Sequence, residues 1–378
     1  MKFKGFNIFA YIAFFLCCIC SPLVFTNFNL TFSKINENRI LAPKPELTLN
    51  YKKLKKYPRK YTAYYNDNFC FRNFLIALNS FIRVNILNIS PNPKVILGSK
   101  GWFYFAGENE AFNSYQDTLN SAELNSFCSN MINRKNWLKN HGIHYYAMIV
   151  PDKQSIYYEY LQEPQKSWIH NSKFEQVINC LTNKFHDNIF IDIKSKILAI
   201  KNKGHKVYYQ TDTHWNSLGA FIAYSELLKT INIDFPNAFQ ITRSDLVESA
   251  RDYCGDLANI FLNLPIKEKD TLYKYKKSFN AIMNTFEKNY DTLKLSFPLV
   301  ISTNSNVSTG TVIVIRDSQF IPILNWFAES FSKVLFINYW EKNETVLELI
   351  TSEKPGIIVD ERVERNLLSH NLMIKLKN

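Results

Sequence analysis

The sequence lacks a repeat period, a heptad run and any low-complexity tract, which excludes solenoids, coiled coils and compositionally disordered chains. Zinc-finger spacing, an RNP motif and a dense basic helix are also missing, so nothing favours nucleic acid as a partner. Cys70, Cys128, Cys180 and Cys254 lie far apart, and no metal knuckle can be drawn from them. In an oxidising compartment these four allow up to two disulfides; the alternative is four buried thiols. One stretch lacks charge altogether. From Ile8 to Phe25, "IFAYIAFFLCCICSPLVF" carries no charged residue, while Lys2 and Lys4 precede it and no further charge follows until Lys34. That length reaches the lower end of a bilayer span, and the flanking lysines predict that the remainder crosses. A cleaved leader or a buried core helix would use the same residues.

What is present is a chain of 378 residues that is 46% hydrophobic and 15% aromatic, enough to build a sizeable core. The net charge of +12 arises from 45 Lys+Arg against 33 Asp+Glu and suits an acidic partner, although clusters such as "KKLKK" (52–56) read singly as solvated surface. Residues 1–28 are assigned to the anchor or leader, 29–60 to a polar linker, and 61–370 to a catalytic-type domain. Residues 61–87 look largely helical, and "PKVILGSKGWFYF" (93–105) reads as a hairpin turning at Gly98 to Gly101.

Strand and helix signals then alternate. Strands are predicted at 144–151, 188–193, 206–209, 310–315, 333–340 and 355–361. Helices are predicted at 121–140, 172–185, 216–230, 319–333 and 343–353. Such alternation predicts an α/β fold with a mostly parallel sheet between helix layers. Residues 240–306 break the rhythm and read as an insertion, with a lysine-rich helical part near 266–294.

In an open parallel sheet, functional groups gather where strands end. Three junctions stand out: Pro151-Asp152-Lys153, Asp212-Thr213-His214-Trp215 and Arg316-Asp317-Ser318. A serine on a strand-to-helix turn has an accessible hydroxyl beside unsatisfied N–H groups able to hold an oxyanion. The plainer reading makes Asp317 or Ser318 a helix cap. Serine is a weak nucleophile and requires a base, a task that suits the imidazole of His214. Asp212 would fix the tautomer and stabilise the imidazolium. Asp-x-His also occurs in metal sites, but no third ligand lies nearby in the sequence, so neither a metal nor a cofactor is expected.

Several blocks together resemble the alginate O-acetyltransferase family of cell-envelope polysaccharide acetyltransferases. They are "YNDNFCFRNFLI" (65–76), "KVILGSKGWFYF" (94–105), "MIVPDKQSIY" (148–157), "TDTHWNSLGA" (211–220), "YCGDLANI" (253–260), "VIRDSQF" (314–320) and "KPGIIVDERVER" (354–365). The resemblance implies an SGNH-hydrolase-like three-layer domain with Ser318 as nucleophile, His214 as base and Asp212 as orienting acid. It also implies an acetyl donor in the form of a membrane-bound O-acyltransferase and a polysaccharide acceptor. The implied location is the inner membrane, held by the N-terminal helix with the C-terminal domain in the periplasm, or export to the periplasm after cleavage. Two departures stand out: Arg316-Asp317-Ser318 replaces the Gly-Asp-Ser of many relatives, and the separate Gly and Asn blocks of ordinary SGNH hydrolases cannot be placed. Arg316, Lys153, Trp215, Asn216 and Tyr339 fall at strand ends and are expected to line a substrate cleft. An acetylesterase on the same triad, or a non-catalytic polysaccharide-binding component, would share these features.

Overall fold

A computed structural model describes residues 8–27, 40–107, 115, 118–169 and 172–368, with only the backbone given for 21–27. Lys2, Lys4 and residues 29–39 of the linker lie outside the described residues. Internal packing divides the chain into two compact units, Met1–Leu97 with Cys254–Ile266, and Gly98–Tyr253 with Lys267–Asn378. This division falls elsewhere than the sequence-based boundary at residue 61.

The first unit is helical. Helix α1, Ile8–Asn27, covers the charge-free run. Among the described residues, no helix is long and apolar enough to cross a membrane, so the expected anchor gains no support there. Helix α2, Tyr51–Asn68, begins at Asn50, whose side chain accepts from the Lys52 and Lys53 amides. Helix α3, Arg72–Phe81, continues into a π-turn at Ile82–Ile86. The extended segment before α2 is tied back to that helix's C-terminal end. The Ala42 amide donates to Asp67 and the Asn68 side-chain amide donates to the Ala42 carbonyl. Strand β1, Val95–Leu97, ends its first segment, and a π-turn at Leu257–Phe261 lies in its second.

The second unit carries the sheet. Its main elements in chain order are β2 (Phe103–Phe105), α4 (Ser121–Asn140), β3 (His144–Val150), α5 (Lys173–Lys184), β4 (Phe190–Ile191), α6 (Ile193–Asn202) and α7 (Ser217–Asp234). The hairpin β5 (Leu246–Tyr253) and β6 (Glu268–Tyr275) follows, then β7 (Ile282–Phe286), β8 (Asn289–Tyr290), β9 (Leu293–Lys294) and β10 (Leu299–Thr303). The chain continues through β11 (Thr311–Arg316), β12 (Lys333–Asn338), α8 (Asn343–Glu353) and β13 (Ile357–Val363). Seven strands form one sheet in the order β4-β3-β13-β11-β12-β10-β7. The first five run parallel; at one edge β10 pairs antiparallel with β12, and β7 pairs antiparallel with β10. Burial on both faces explains why β11 reads "TVIVIR" without polar alternation.

Side chains of α4 and α8, with Ile313, Ile315, Leu335 and Ile337, fill one face of the sheet, and α5 completes that layer beside β3. The opposite face is covered by α6, α7 and the segment after β11, where Phe320 and Phe327 pack against Phe336. The three-layer α/β fold with a mostly parallel sheet is therefore present.

Four expectations need correction. Residues 266–294 are not helical: β6 alternates buried Glu268 and Asp270 with exposed Lys269 and Thr271, the two-residue period of a strand. Residues 240–306 are not wholly an insertion, because β7 and β10 extend the central sheet. Residues 206–209 form no strand beyond a single antiparallel bridge from Tyr208 to Trp215. The helix expected at 319–333 shrinks to a 3-10 turn, Ser318–Ile323, and one α-turn, Leu324–Ala328. Pro322 within that 3-10 turn removes a backbone donor and disfavours a longer α-helix. Among the described residues none of Cys70, Cys128, Cys180 and Cys254 forms a disulfide.

Candidate active site

Strand β11 ends at Arg316, and the chain turns sharply before entering the 3-10 segment that starts at Ser318. The turn is fixed from below. Asp317 Oδ1 accepts from the Gln319 amide at 2.7 Å, and its Oδ2 accepts from the Val363 amide at the end of β13 at 2.8 Å. The Asp317 amide in turn donates to Glu361 Oε2 at 2.9 Å. Asp317 is thus the cap, and Ser318 is left exposed at the first position of the turn. At that position no preceding helical carbonyl takes its N–H. Glu361 is fully buried. Loss of hydration and the neighbouring Asp317 push its carboxyl well above the ordinary carboxylate range.

Asp212 and His214 sit on the loop between Tyr208 and α7. Asn216 starts that helix by accepting from the Leu218 and Gly219 amides at 3.1 and 3.0 Å. Gly219 lets the helix close on the loop: a Cβ there would lie 2.3 Å from the Val207 carbonyl oxygen. Three charge- and hydrogen-bonding groups then align. His214 Nδ1 lies 2.6 Å from Asp212 Oδ1, and His214 Nε2 lies 2.9 Å from Ser318 Oγ. The Asp212 carboxylate also accepts from the His214 amide at 2.8 Å and from the Tyr253 hydroxyl at 2.8 Å. With Nδ1–H directed at a carboxylate, the lone pair of Nε2 faces the serine hydroxyl. This is the arrangement of a nucleophile, a base and its orienting acid.

Ser318 and His214 open into a cavity of about 530 Å³. Its walls include Tyr209, Tyr253, Tyr273, Tyr275, Phe279 and Trp326, with Lys274 and Asn325 as polar members. Arg251 stands at this wall, held by Asp270 at 2.9 Å and by the Tyr209 hydroxyl at 2.6 Å.

The five residues expected to line a cleft separate. Trp215 and Asn216 do line the cavity. The indole of Trp215 is buried and donates to the Gln319 carbonyl at 3.1 Å, while Asn216 is committed to its cap and to the Lys206 carbonyl. Lys153, Arg316 and Tyr339 are not in the lining. Lys153 is buried, and its ammonium donates to the carbonyls of Tyr209, Gln210 and Asp212 at 3.1, 3.1 and 2.6 Å. The faces of Trp102 and Tyr104 lie over the same ammonium. Arg316 is half-buried; desolvation lowers its pKa, opposed by Glu361 and Asp317. Tyr339 is buried, and its hydroxyl accepts from the Asn366 amide at 2.9 Å. Lys153 and Tyr339 thus turn inward, and Arg316 stays half-buried with its guanidinium on the Asp317 carbonyl. Tyr253, Arg251 and Gln319 escaped the sequence reading. Tyr253 and Gln319 fell within the blocks "YCGDLANI" and "VIRDSQF" without being given a role, and Arg251 gave no signal.

The sequence model for the family described as "SGNH hydrolase-like domain, acetyltransferase AlgX" matches residues 95–283, half of the chain, and includes Asp212, His214 and Tyr253. The probable alginate O-acetylase AlgJ of Pseudomonas fluorescens is 29% identical over 178 residues, covering 45% of this chain and 41% of that protein. AlgJ of Pseudomonas putida is 28% identical over 179 residues, covering 44% and 42%. The chain therefore spans about two fifths of the length of these curated relatives. Among solved structures, Bacillus cereus PatB1 superposes with a TM-score of 0.54 at 18% identity, covering 72% of this chain and 96% of that one. At that identity the likeness is one of fold.

Proposed function

The chain belongs to the family of SGNH hydrolase-like domains of the acetyltransferase AlgX type, and from that membership we propose that it is a serine-dependent O-acetyltransferase acting on a polysaccharide. The observation that carries this reading is the unbroken line Asp212–His214–Ser318, with distances of 2.6 and 2.9 Å, ending on an exposed hydroxyl in a cavity. His214 Nε2 takes the Ser318 proton as Oγ attacks the acetyl carbonyl carbon. The tetrahedral intermediate collapses, and the leaving group departs with the proton from the imidazolium. An acetyl-serine remains. A sugar hydroxyl then gives its proton to His214 and attacks the same carbonyl; the acetyl group moves to the sugar, and Ser318 Oγ recovers the proton. The Ser318 N–H is one oxyanion donor.

The acceptor is a polysaccharide outside the cytoplasm, and the acetyl group arrives from a membrane-bound O-acyltransferase. Support comes from the named AlgJ relatives, from the aromatic cavity walls suited to stacking on sugar faces, and from Lys274 and the net charge of +12, suited to an acidic glycan. Lys2 and Lys4 before the charge-free run support attachment at the inner membrane with the remainder in the periplasm, or export there after cleavage. An acetylesterase would use the same triad, with water in place of the sugar hydroxyl. The two separate on product analysis with glycan present.

The test is acetate release from an artificial acetyl ester, with mass spectrometry for an acetyl adduct on Ser318 after a donor pulse. Ser318→Ala is expected to abolish both signals. Undiminished turnover in that variant would remove Ser318 as the nucleophile.

A further inference from the structure

Helix α3 and the π-turn that extends it are built inside out. The face carrying Phe74, Leu78, Phe81 and Ile82, spaced at i, i+4, i+7 and i+8, is exposed, and Ile86 continues it. These five side chains are 39–66% exposed, whereas Ser80 on the opposite face is buried. A helix in water does the reverse. An apolar stripe of this kind marks an interaction surface.

The adjoining helix α2 packs on α3 and states what the partner's charge must be. It exposes Lys52, Lys53, Lys55, Lys56, Arg59 and Lys60, and no carboxylate lies between Glu46 and Asp67. Tyr57 and Tyr61 stack along the same helix. The same unit contains α1, whose described side chains, residues 8–20, are apolar and all exposed. Basic side chains, interfacial tyrosines and a neighbouring apolar helical face are the combination that lies in a lipid interface. We propose that α2 and α3 form a docking surface for an anionic bilayer, with the Phe74–Ile86 stripe seated at the acyl boundary and the α2 cations at the headgroups. Such docking is distinct from any span by α1. It would hold the first unit flat against the surface from which a membrane-borne acetyl donor is served.

The full chain carrying Phe81→Trp tests this. Because Phe81 is exposed, the exchange leaves the interior undisturbed. The protein is reconstituted with vesicles containing phosphatidylglycerol, and the added tryptophan is read as the difference from wild-type emission. Lipids brominated on the upper acyl chain are expected to quench it, with a blue shift and protection from aqueous iodide. Replacing Lys52, Lys53, Lys55 and Lys56 by Gln is expected to weaken this quenching, each lysine near an anionic surface contributing about fivefold in partitioning. Quenching by iodide alone would overturn the proposal, since the stripe then stays in water. Resistance to both quenchers would also overturn it, because protein would be covering the stripe. Bromolipid quenching equal in phosphatidylcholine and phosphatidylglycerol would overturn the role given to α2.

Discussion

Replacing Lys153 by Met tests whether this buried ammonium shapes the catalytic loop. The methionine keeps most of the stem's volume and removes only the cation. Three carbonyls, those of Tyr209, Gln210 and Asp212, then lose a donor at 3.1, 3.1 and 2.6 Å. A hydrogen bond to a charged group contributes about 1.5–3 kcal/mol, and an orphaned buried carbonyl costs about 1–3 kcal/mol. Against this, the variant no longer desolvates an ammonium, which itself costs several kcal/mol. The balance is a destabilisation of about 3 kcal/mol, or a fall in Tm of roughly 6–12 °C for a unit of this size. The Asp212 carbonyl belongs to the residue that orients His214, so the loop shift reaches the triad. A displacement near 1 Å can lower turnover about 100-fold. Thermal unfolding and ester turnover measured on the same preparation check both effects. Ser318→Ala provides the contrast, being inactive with near wild-type stability. A Lys153→Met enzyme with unchanged Tm and unchanged kcat would refute the assignment of Lys153 as the loop's clamp.

Asp212→Asn keeps the shape of the side chain but presents an amide to His214 and Tyr253; kcat for ester cleavage is expected to fall about 10⁴-fold, and a loss below tenfold would mean that His214 is oriented by something else. Glu361→Gln addresses the turn beneath Ser318. The folded carboxyl holds its proton more tightly than the unfolded one, because it is buried and faces Asp317. The folded state therefore binds more protons, and stability present at low pH is lost as pH climbs from about 4.3 through the raised folded value. The Gln variant should show a flatter Tm-against-pH curve over that window, and superimposable curves would contradict the raised carboxyl.

The triad was readable in the sequence because each member follows a recognisable local element. "VIVI" runs through Arg316 into Asp317-Ser318, and Asp212-x-His214 precedes a helix signalled by "NSLGAFIAYSELL". Residue type and chain position there point to the same three residues that the structure brings together. Lys153 and Tyr339 show what is missing from such a reading. Both lie at strand ends as expected, yet both turn into the protein, and the phase that sends a terminal side chain to cleft or core is set by packing partners far along the chain. Tyr253 was hidden for a second reason. Its contact with Asp212 spans 41 residues and exists only because β5 and β6 pair as a hairpin, a region whose lysine-rich sequence reads as helix.

The distance between His214 and Ser318 is itself the product of a reciprocal tie. The Trp215 indole, one residue after the histidine, donates to the Gln319 carbonyl, one residue after the serine, at 3.1 Å. The Gln319 side-chain amide returns to the Thr213 carbonyl at 3.4 Å. Two backbone segments more than a hundred residues apart in sequence are thus held by bonds that flank His214 on both sides and Ser318 at its following residue. Asp317 fixes one bracket to β13 through the Val363 amide, and Lys153 fixes the other through the Asp212 carbonyl. The bulky Arg316 before the turn leaves the His214–Ser318 alignment intact. Its guanidinium reaches the Asp317 carbonyl at 3.3 Å and lies outside the cavity walls, so the hydroxyl keeps its path to the imidazole.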